Sequence, residues 1–353
     1  MFDLAPGRNT QRGFWGFDFR LVDGYVHVKS TGVSFKNDWQ LWADIWRWFT
    51  YYLFVRLHGV WARLTQPRGP RIWFTPHRPR PWYIVWAAMV WGGFEFASSP
   101  EHADAAFYFE DRTIAVPPQQ QHEKAFNFAV ADVSKSRVAQ AMERAFGYPL
   151  AINPATHAGE AVEKGEGNGL HDGRLVECPI APAPGKAYQR LIKTEAADGW
   201  ALDLRTACVA GRPVVVFAKT KPAAARFSIQ NTGVAVKMPE AVFSAAEIAQ
   251  IEKFCAAMKL DWGGLDVLRE HATGRLYVVD VNKTDTGPAV VLNWRDRAKA
   301  TSLLSEALRE MIQEPSPLAG EDREGGAGGA SSGKNTAVTP TPDPTPQGGG
   351  EAR

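Results

Sequence analysis

The chain has 353 residues, of which 45% are hydrophobic and 22% charged, the composition of a soluble globular protein with room for two domains. Its 40 basic residues nearly balance 38 acidic ones, so the sequence does not favour electrostatic capture of nucleic acid, and no nucleic-acid partner is expected. Cys178, Cys208 and Cys255 are scattered without a CxxC pair, which argues against both a disulfide framework and a thiolate zinc site.

The first residues carry no basic stretch followed by an apolar core, so secretion is not expected and a cytoplasmic location is predicted. Tryptophan is concentrated near this end of the chain, particularly in residues 39–64, where apolar side chains recur at helical spacing. Asp44, Arg47, Arg56 and Arg63 interrupt this segment and exclude a simple bilayer span. Two interpretations stay open. The segment packs on the core, or it makes peripheral contact with the inner face of a membrane through residues 38–65.

Turn-forming and low-complexity segments divide the chain. Pro and Gly mark breaks at residues 66–71 and 116–119, and the sequence from residue 315 onward is rich in Pro, Gly, Ser and Thr and is predicted to be disordered. The predicted domains are a Trp-rich N-terminal extension (1–70), a small α/β domain (71–131), a larger domain (132–314) and a tail (315–353).

In the small domain, the pattern predicts a strand at 71–75, a helix at 82–93 and a buried strand at 105–109, which together favour a parallel α/β unit. An amphipathic helix is predicted at 134–146 and a strand at 148–152. A loop rich in Gly, Glu and His is predicted to extend to Gly173.

The rest of the larger domain alternates strands and helices. The predicted elements are strands at 187–192, 201–209, 214–219 and 234–237, a helix at 244–259, strands at 263–268 and 275–282, and a final helix at 297–312. Ser244 and Glu247 have the spacing of a capping box at the start of the first of these helices.

Three oxygen-bearing side chains are expected to lie together on the last two strands. Asp280 and Asn282 point to the same face because they are two residues apart, and Asp266 on the neighbouring strand can lie beside them. Two carboxylates and a carbonyl-type oxygen suit Mg²⁺ bound with a nucleotide triphosphate. The alternative is a solvated polar strand face.

With these residues in view, residues 132–312 resemble the ATP-grasp superfamily. The resemblance rests on Asp266 and Asp280-Val281-Asn282, preceded in order by Ser134-Lys135-Ser136, a Gly-containing loop with Lys164, Tyr188-Gln189-Arg190-Leu191-Ile192 and Asp203-Leu204-Arg205. It implies an α/β (α+β) fold in which two α+β subdomains grip ATP, preceded by a small parallel α/β domain. Two departures are Ile152-Asn153-Pro154, where the family usually has Lys-Pro, and Gln189, where Glu is common.

The resemblance also implies roles for individual residues. Lys135 and Lys164 would contact the triphosphate, Gln189 and the backbone of Arg190 to Ile192 would face adenine, and Arg205 or Arg226 would hold the transferred phosphoryl group. The implied cofactors are ATP and Mg²⁺, and the implied activity is ligation of a small-molecule carboxylate to an amine or similar nucleophile through an acyl phosphate. A kinase acting on a hydroxyl acceptor and a membrane-associated nucleotide-binding interaction protein are the alternatives.

Overall fold

The structure is a computed structural model that describes residues 15–29, 32–170, 172–195, 199–222, 224 and 233–313. Arg226, one of the two predicted phosphoryl-binding arginines, and the tail at 315–353 lie outside the described residues.

The N-terminal part begins with a small antiparallel sheet and a long helix. The elements are β1 (Phe19–Val22), β2 (Tyr25–Val28), β3 (Ser34–Lys36) and α1 (Trp39–Thr65). The Asp38 carboxylate caps α1 by accepting a hydrogen bond from the Leu41 N–H at 3.1 Å. The helical reading of residues 39–64 is therefore confirmed. Among the described residues, no helix is both long enough and apolar enough to cross a bilayer.

A four-stranded parallel sheet follows, in the order β5-β4-β6-β7. Its elements are β4 (Arg71–Pro76), α2 (Ile84–Trp91), β5 (Glu95–Phe96), β6 (Ala105–Phe109) and β7 (Ala125–Phe126). The expected strand, helix and parallel strand are confirmed. Helices α1 and α2 approach closely at Gly59, where a Cβ would overlap the carbonyl oxygen of Val90.

The next part holds a helix and a three-stranded antiparallel sheet in the order β10-β8-β9. The elements are α3 (Lys135–Phe146), β8 (Gly159–Gly165), β9 (Arg174–Cys178) and β10 (Lys186–Arg190). The predicted strand at 148–152 is wrong, because that segment makes only an isolated bridge between Ala151 and Gln189. The predicted loop up to Gly173 is also wrong in part, because it contains β8. This polar strand is held by a partner on each side rather than by its own propensity.

A five-stranded antiparallel sheet completes the fold, in the order β13-β12-β11-β14-β15. Its strands and the helices between and after them are β11 (Trp200–Val209), β12 (Arg212–Pro222), β13 (Gly233–Lys237), α4 (Ala245–Met258), β14 (Trp262–Arg269), β15 (Leu276–Asn282) and α5 (Trp294–Gln313). These match the predicted elements within a few residues, and the capping box of Ser244 and Glu247 is present.

The two faces of this sheet have different partners. Leu204, Leu265 and Val267 lie on one face and share a hydrophobic core with residues of α3 and α4. On the other face, Phe217 and Trp262 belong to a second core with residues of α5 and the parallel sheet. The remainder of this second face is polar, and the candidate site lies there.

Candidate active site

The strand registers bring five polar side chains onto one face of the five-stranded sheet. Arg205 pairs with Asp266, which in turn pairs with Asp280 across the next strand, while Asn282 lies opposite Gly264. Asp203 shares this face because it lies two residues before Arg205 on β11. The three predicted Mg²⁺ ligands are therefore brought together, and Arg205 lies beside them.

The three-stranded sheet contributes two further predicted residues. Lys164 is paired with Ala187 and Gln189 with Val162, so the alternation of the strands places Lys164 and Gln189 on the same face. Burial lowers the pKa of Lys164, while the nearby Asp280 carboxylate raises it. Gln189 is only 2% exposed, and its Nε2 has no hydrogen-bond partner among the described residues. A buried amide N–H without a hydrogen-bond partner lowers the stability of the protein unless a ligand accepts its hydrogen bond.

Lys135 approaches the same carboxylates from α3. Ser134 caps the helix, accepting a hydrogen bond from the Arg137 N–H at 3.3 Å, and Lys135 follows as the first helical residue. A cation is unfavourable at a helix N-terminus, and this one is 95% buried, so its position needs compensation. Lys135 Nζ donates to Asp280 Oδ1 at 2.6 Å, which supplies that compensation.

Arg205 is held between two carboxylates. Its guanidinium donates to Asp266 Oδ1 at 2.7 Å and to Asp285 Oδ1 at 2.6 Å. Burial would raise the pKa of Asp266, but the Arg205 guanidinium prevails and lowers it to about 2. Gly264 permits this arrangement, since a Cβ there would lie 2.8 Å from Arg205 Nε and would overlap Asp285 Oδ2.

Asp285 is the second partner of Arg205, a pairing that the sequence analysis does not predict. It lies just after β15, and the sequence signal that could have identified it is the acidic residue following Asp280-Val281-Asn282-Lys283-Thr284. Lys219 was also missed. It lies opposite Asp203 in the pairing of β11 with β12. The turn at Ala210 and Gly211 alone would place Ala218 there, and a one-residue register shift at Ala207 and Cys208 brings Lys219 into that position.

Asp203 is the one carboxyl of the site with a strongly raised pKa. Its burial, reinforced by the negative charge of Asp266, raises the pKa from the usual 3.8 to about 6, although Lys219 and Lys221 oppose the shift. Its Oδ1 is buried and has no hydrogen-bond partner among the described residues. This carboxyl is therefore destabilising when it ionises in the protein without ligands.

Replacing Asp203 with asparagine is expected to remove a pH-dependent loss of stability. The native state keeps the Asp203 proton up to about pH 6, whereas the unfolded chain releases it near pH 4, so the wild type loses stability as the pH rises through this range. In urea unfolding, the variant should gain roughly 1–3 kcal/mol relative to the wild type between pH 4 and 6, then hold that difference at higher pH. A difference independent of pH would contradict the assignment.

Asn282 and the turn after β15 connect the site to the parallel sheet. Asn282 Oδ1 accepts a hydrogen bond from the Thr284 N–H at 3.0 Å and lies 3.2 Å from the Thr284 hydroxyl oxygen. The same hydroxyl donates to Asp111 Oδ1 at 2.7 Å, just beyond β6. The amide oxygen is thus fixed in direction before any ligand arrives.

The glycine-rich segment after β8 is also tied down. The Gly165 N–H donates to both oxygens of Asp172, at 2.9 and 3.1 Å, and Lys186 Nζ pairs with the same carboxylate at 2.7 Å. A Cβ at Gly165 would lie 2.7 Å from the Leu170 side chain, so glycine is needed for this compact turn. Its amide is therefore engaged by an internal carboxylate in the structure.

The remaining predicted nucleotide-binding residues differ in their surroundings. The Arg190 N–H donates to the Leu150 carbonyl at 2.9 Å, and the Arg190 side chain is exposed at the end of β10. Ile192 is 4% exposed and packs in the core with Leu204. Their placement leaves Gln189 as the buried polar side chain of this segment.

The side chains present suit Mg²⁺, the metal that the ATP-grasp resemblance implies. In the part of the chain that the structure describes, no three His, Cys, Asp or Glu side chains form a metal cluster by themselves. The predicted set has two carboxylates and one amide, which matches the preference of Mg²⁺ for few protein oxygens supplemented by waters and phosphates. Each carboxylate has about four lone-pair positions, so the bonds from Arg205 and Lys135 do not exhaust the oxygens.

A scan against models of known families found no match, and a comparison with curated proteins found none. Among solved structures, the chain is similar to the ATP-grasp ligase PsnB bound to the precursor peptide PsnA2 and AMPPNP, at 11% identity and a TM-score of 0.46, over 69% of this chain and 98% of that one. It is also similar to D-alanine–D-alanine ligase from Bacillus anthracis complexed with ATP (12%, TM-score 0.43, 69% and 98%). A third is the RimK domain protein ATP-grasp from Sphaerobacter thermophilus (13%, TM-score 0.42, 69% and 100%).

These identities and TM-scores are too low to carry any inference about activity or substrate. Lys164 lies on the three-stranded antiparallel sheet and the acidic side chains lie on the five-stranded one, and both sheets follow the small parallel α/β unit. The chain has a mixed α/β fold in which a small parallel α/β unit precedes two antiparallel sheets.

Proposed function

We propose that the protein is an ATP- and Mg²⁺-dependent ligase that activates a small-molecule carboxylate as an acyl phosphate for attack by an amine or similar nucleophile. The observation that carries the proposal is the convergence of Lys135 and Arg205 on the carboxylates of Asp266 and Asp280, with Lys164 buried beside them. A buried set of this kind is costly for folding alone, which supports a functional reason for it.

In this proposal the nucleotide lies between the two sheets. Lys135 and Lys164 supply ammonium groups for phosphate oxygens, and the unpartnered Nε2 of Gln189 donates to an acceptor of the adenine ring. Lys164 forms no ion pair within 4.0 Å with any carboxylate of the described residues, so its ammonium is available without breaking a bond.

Asp266, Asp280 and Asn282 would hold Mg²⁺. When bound, the metal neutralises charge on the triphosphate and orients it. Asn282 is already fixed by Thr284, and Asp266 stays ionised at every physiological pH because Arg205 lowers its pKa. The protein's own contribution is therefore a set of oxygens that are charged and directed in advance.

Arg205 is proposed to stabilise the transferring phosphoryl group, with Asp285 setting the direction of its guanidinium. A substrate carboxylate oxygen attacks the γ-phosphorus, the bond to ADP breaks, and an acyl phosphate forms. The amine then attacks the acyl carbon, phosphate leaves, and the amine proton passes to solvent or to a nearby base. Both steps are accelerated mainly by positioning and charge stabilisation.

Trapping with hydroxylamine tests the proposed chemistry. The full chain is incubated with MgATP, hydroxylamine and panels of carboxylic acids, amines and hydroxyl compounds. We expect a hydroxamate together with ADP for at least one acid, and no hydroxamate with Asp280→Ala. A stable phosphate ester formed from a hydroxyl compound, without hydroxamate, would overturn the ligase proposal in favour of the kinase. ATP binding without turnover of any panel member would instead favour a binding protein.

A further inference from the structure

Helix α1 carries a continuous apolar stripe that the described residues leave uncovered. Its members share one face of the helix by the 3.6-residue period and are between 44% and 81% exposed: Trp39, Trp42, Trp46, Leu53, Leu57, Val60, Trp61 and Leu64. At 1.5 Å per residue the stripe is about 38 Å long. Exposed apolar surface of this extent marks an interaction site.

The opposite face of α1 is already used for packing. Tyr51, Val55 and Ala62 are buried there, and Tyr51 and Val55 form a small core with residues of α2. The Tyr51 hydroxyl is also hydrogen-bonded to Thr301 of α5 at 2.5 Å. The stripe is therefore held in a fixed direction, pointing away from the rest of the described protein.

A pocket of cationic side chains borders the stripe. It has a volume of about 220 Å³ and is lined by Arg56 and Arg63 of α1, Arg78, Glu95 and three apolar residues of the parallel α/β unit. The Arg78 guanidinium lies 4.1 Å from the centre of the Phe96 ring. None of the three arginines forms an ion pair with a carboxylate of the described residues. Glu95, the carboxylate that lines the pocket, pairs with Arg68 at 4.0 Å.

We propose that the stripe and the arginine pocket form a docking surface for a bilayer containing anionic phospholipid. The helix would lie in the plane of the interface, with its tryptophans and leucines among the acyl chains and headgroups. The three arginines, placed along one edge of the stripe, would meet headgroup phosphates at the same depth.

Charge and composition favour lipid over a second protein surface. Helix α1 has three arginines against one aspartate, and because Asp44 pairs with Arg47 at 3.1 Å, the two arginines of the pocket, Arg56 and Arg63, keep their charge unpaired within the described part of the chain. Tryptophan next to arginine is typical of the membrane interface, where an aromatic body and a polar tip are both satisfied. A phospholipid carries a phosphate next to its acyl chains. The arginine pocket beside the apolar stripe offers binding partners for both parts.

Vesicle flotation of the full chain tests the proposal. Vesicles consist of phosphatidylcholine alone or mixed with phosphatidylglycerol, each at low and high salt. We expect the wild type to float with the anionic vesicles at low salt and to bind less at high salt. Removing all three pocket charges (Arg56→Gln, Arg63→Gln, Arg78→Gln) should weaken binding roughly 100-fold, because each arginine near the surface contributes about fivefold.

Two further variants separate the stripe from general surface effects. Trp42→Gln with Trp46→Gln removes two exposed stripe side chains and should abolish flotation, while thermal unfolding stays unchanged because neither is buried. The matched control is Ile114→Gln with Val116→Gln, which replaces two exposed apolar side chains away from α1 and should float like the wild type.

Failure of the wild type to float with anionic vesicles at low salt would overturn the proposal. So would equal flotation of the wild type and the stripe variant. If the stripe variant instead converts a dimer to a monomer while vesicle binding is unaffected, the stripe contacts a second copy and the lipid proposal is wrong. Binding of inorganic phosphate to the wild type, without flotation on any vesicle, would also overturn the proposal. The pocket would then be a site for a free anion and not for a lipid headgroup.

Discussion

Replacing Lys164 with methionine is expected to weaken binding of MgATP by roughly 10–100-fold, the cost of losing one charge-assisted hydrogen bond. The same change should leave the nucleotide-free protein at least as stable as the wild type. Burial disfavours the charged form of Lys164, as its lowered pKa shows, and methionine keeps much of the side-chain volume without the charge. The two effects have opposite signs, which is characteristic of a residue retained for binding.

Isothermal titration with MgATP and urea unfolding of the same samples measure the two effects. The matched control is Lys193→Met, which removes a lysine that is 66% exposed and only weakly paired with Glu160 at 3.9 Å. It should change neither affinity nor stability by a measurable amount. If Lys164→Met binds MgATP like the wild type, Lys164 does not contact the triphosphate, and its burial has another cause.

Replacing Arg205 with methionine is expected to destabilise the protein by about 3–5 kcal/mol, the usual cost of breaking a buried ion pair by removing one partner. Asp285 is 4% exposed, and both its carboxylate and that of Asp266 contact the Arg205 guanidinium. Without the guanidinium, both carboxylates are left close together in a poorly solvated site. Phosphoryl transfer should be lost as well, but the stability change is the more direct measurement.

The control for this prediction is Arg212→Met on the neighbouring strand. Arg212 and Glu252 form a pair at 3.9 Å with side chains 69% and 42% exposed, so the loss should be below about 1 kcal/mol. Adding Asp285→Asn to Arg205→Met should restore part of the stability, because it removes one of the two stranded charges. If Arg205→Met alone has a small effect and Asp285→Asn restores no stability, the two ion pairs of Arg205 contribute little to the free energy of unfolding.

The helices and most strands of the second half could be predicted because local signals and tertiary structure agree there. Ser244 and Glu247 define the start of α4, and the alternation along residues 275–282 predicts β15. The common face of Asp266, Asp280 and Asn282 also follows from alternation within two adjacent strands. These are short-range relationships that a sequence displays directly.

The parts that could not be predicted depend on contacts distant in sequence. Strand β8 has few apolar residues and exists because β9 and β10 pair with it on both sides. The pairing of Arg205 with Asp285 spans 80 positions and requires the missing side chain of Gly264. The sequence predicts α1 as an apolar helix. The direction in which its uncovered stripe points is set by the packing of α1 on α2.

Thermal unfolding of three proteins, with and without MgATP, tests whether a Mg²⁺-nucleotide site is built around Asp280. At about 100 times its dissociation constant, MgATP should stabilise the wild type by roughly 2.7 kcal/mol. Glu143→Ala, an exposed change on α3, should behave in the same way. Asp280→Ala removes a predicted metal ligand and the partner of Lys135, so MgATP should give it no stabilisation. Equal stabilisation of Asp280→Ala and the wild type would show that Asp280 is not part of a Mg²⁺-nucleotide site.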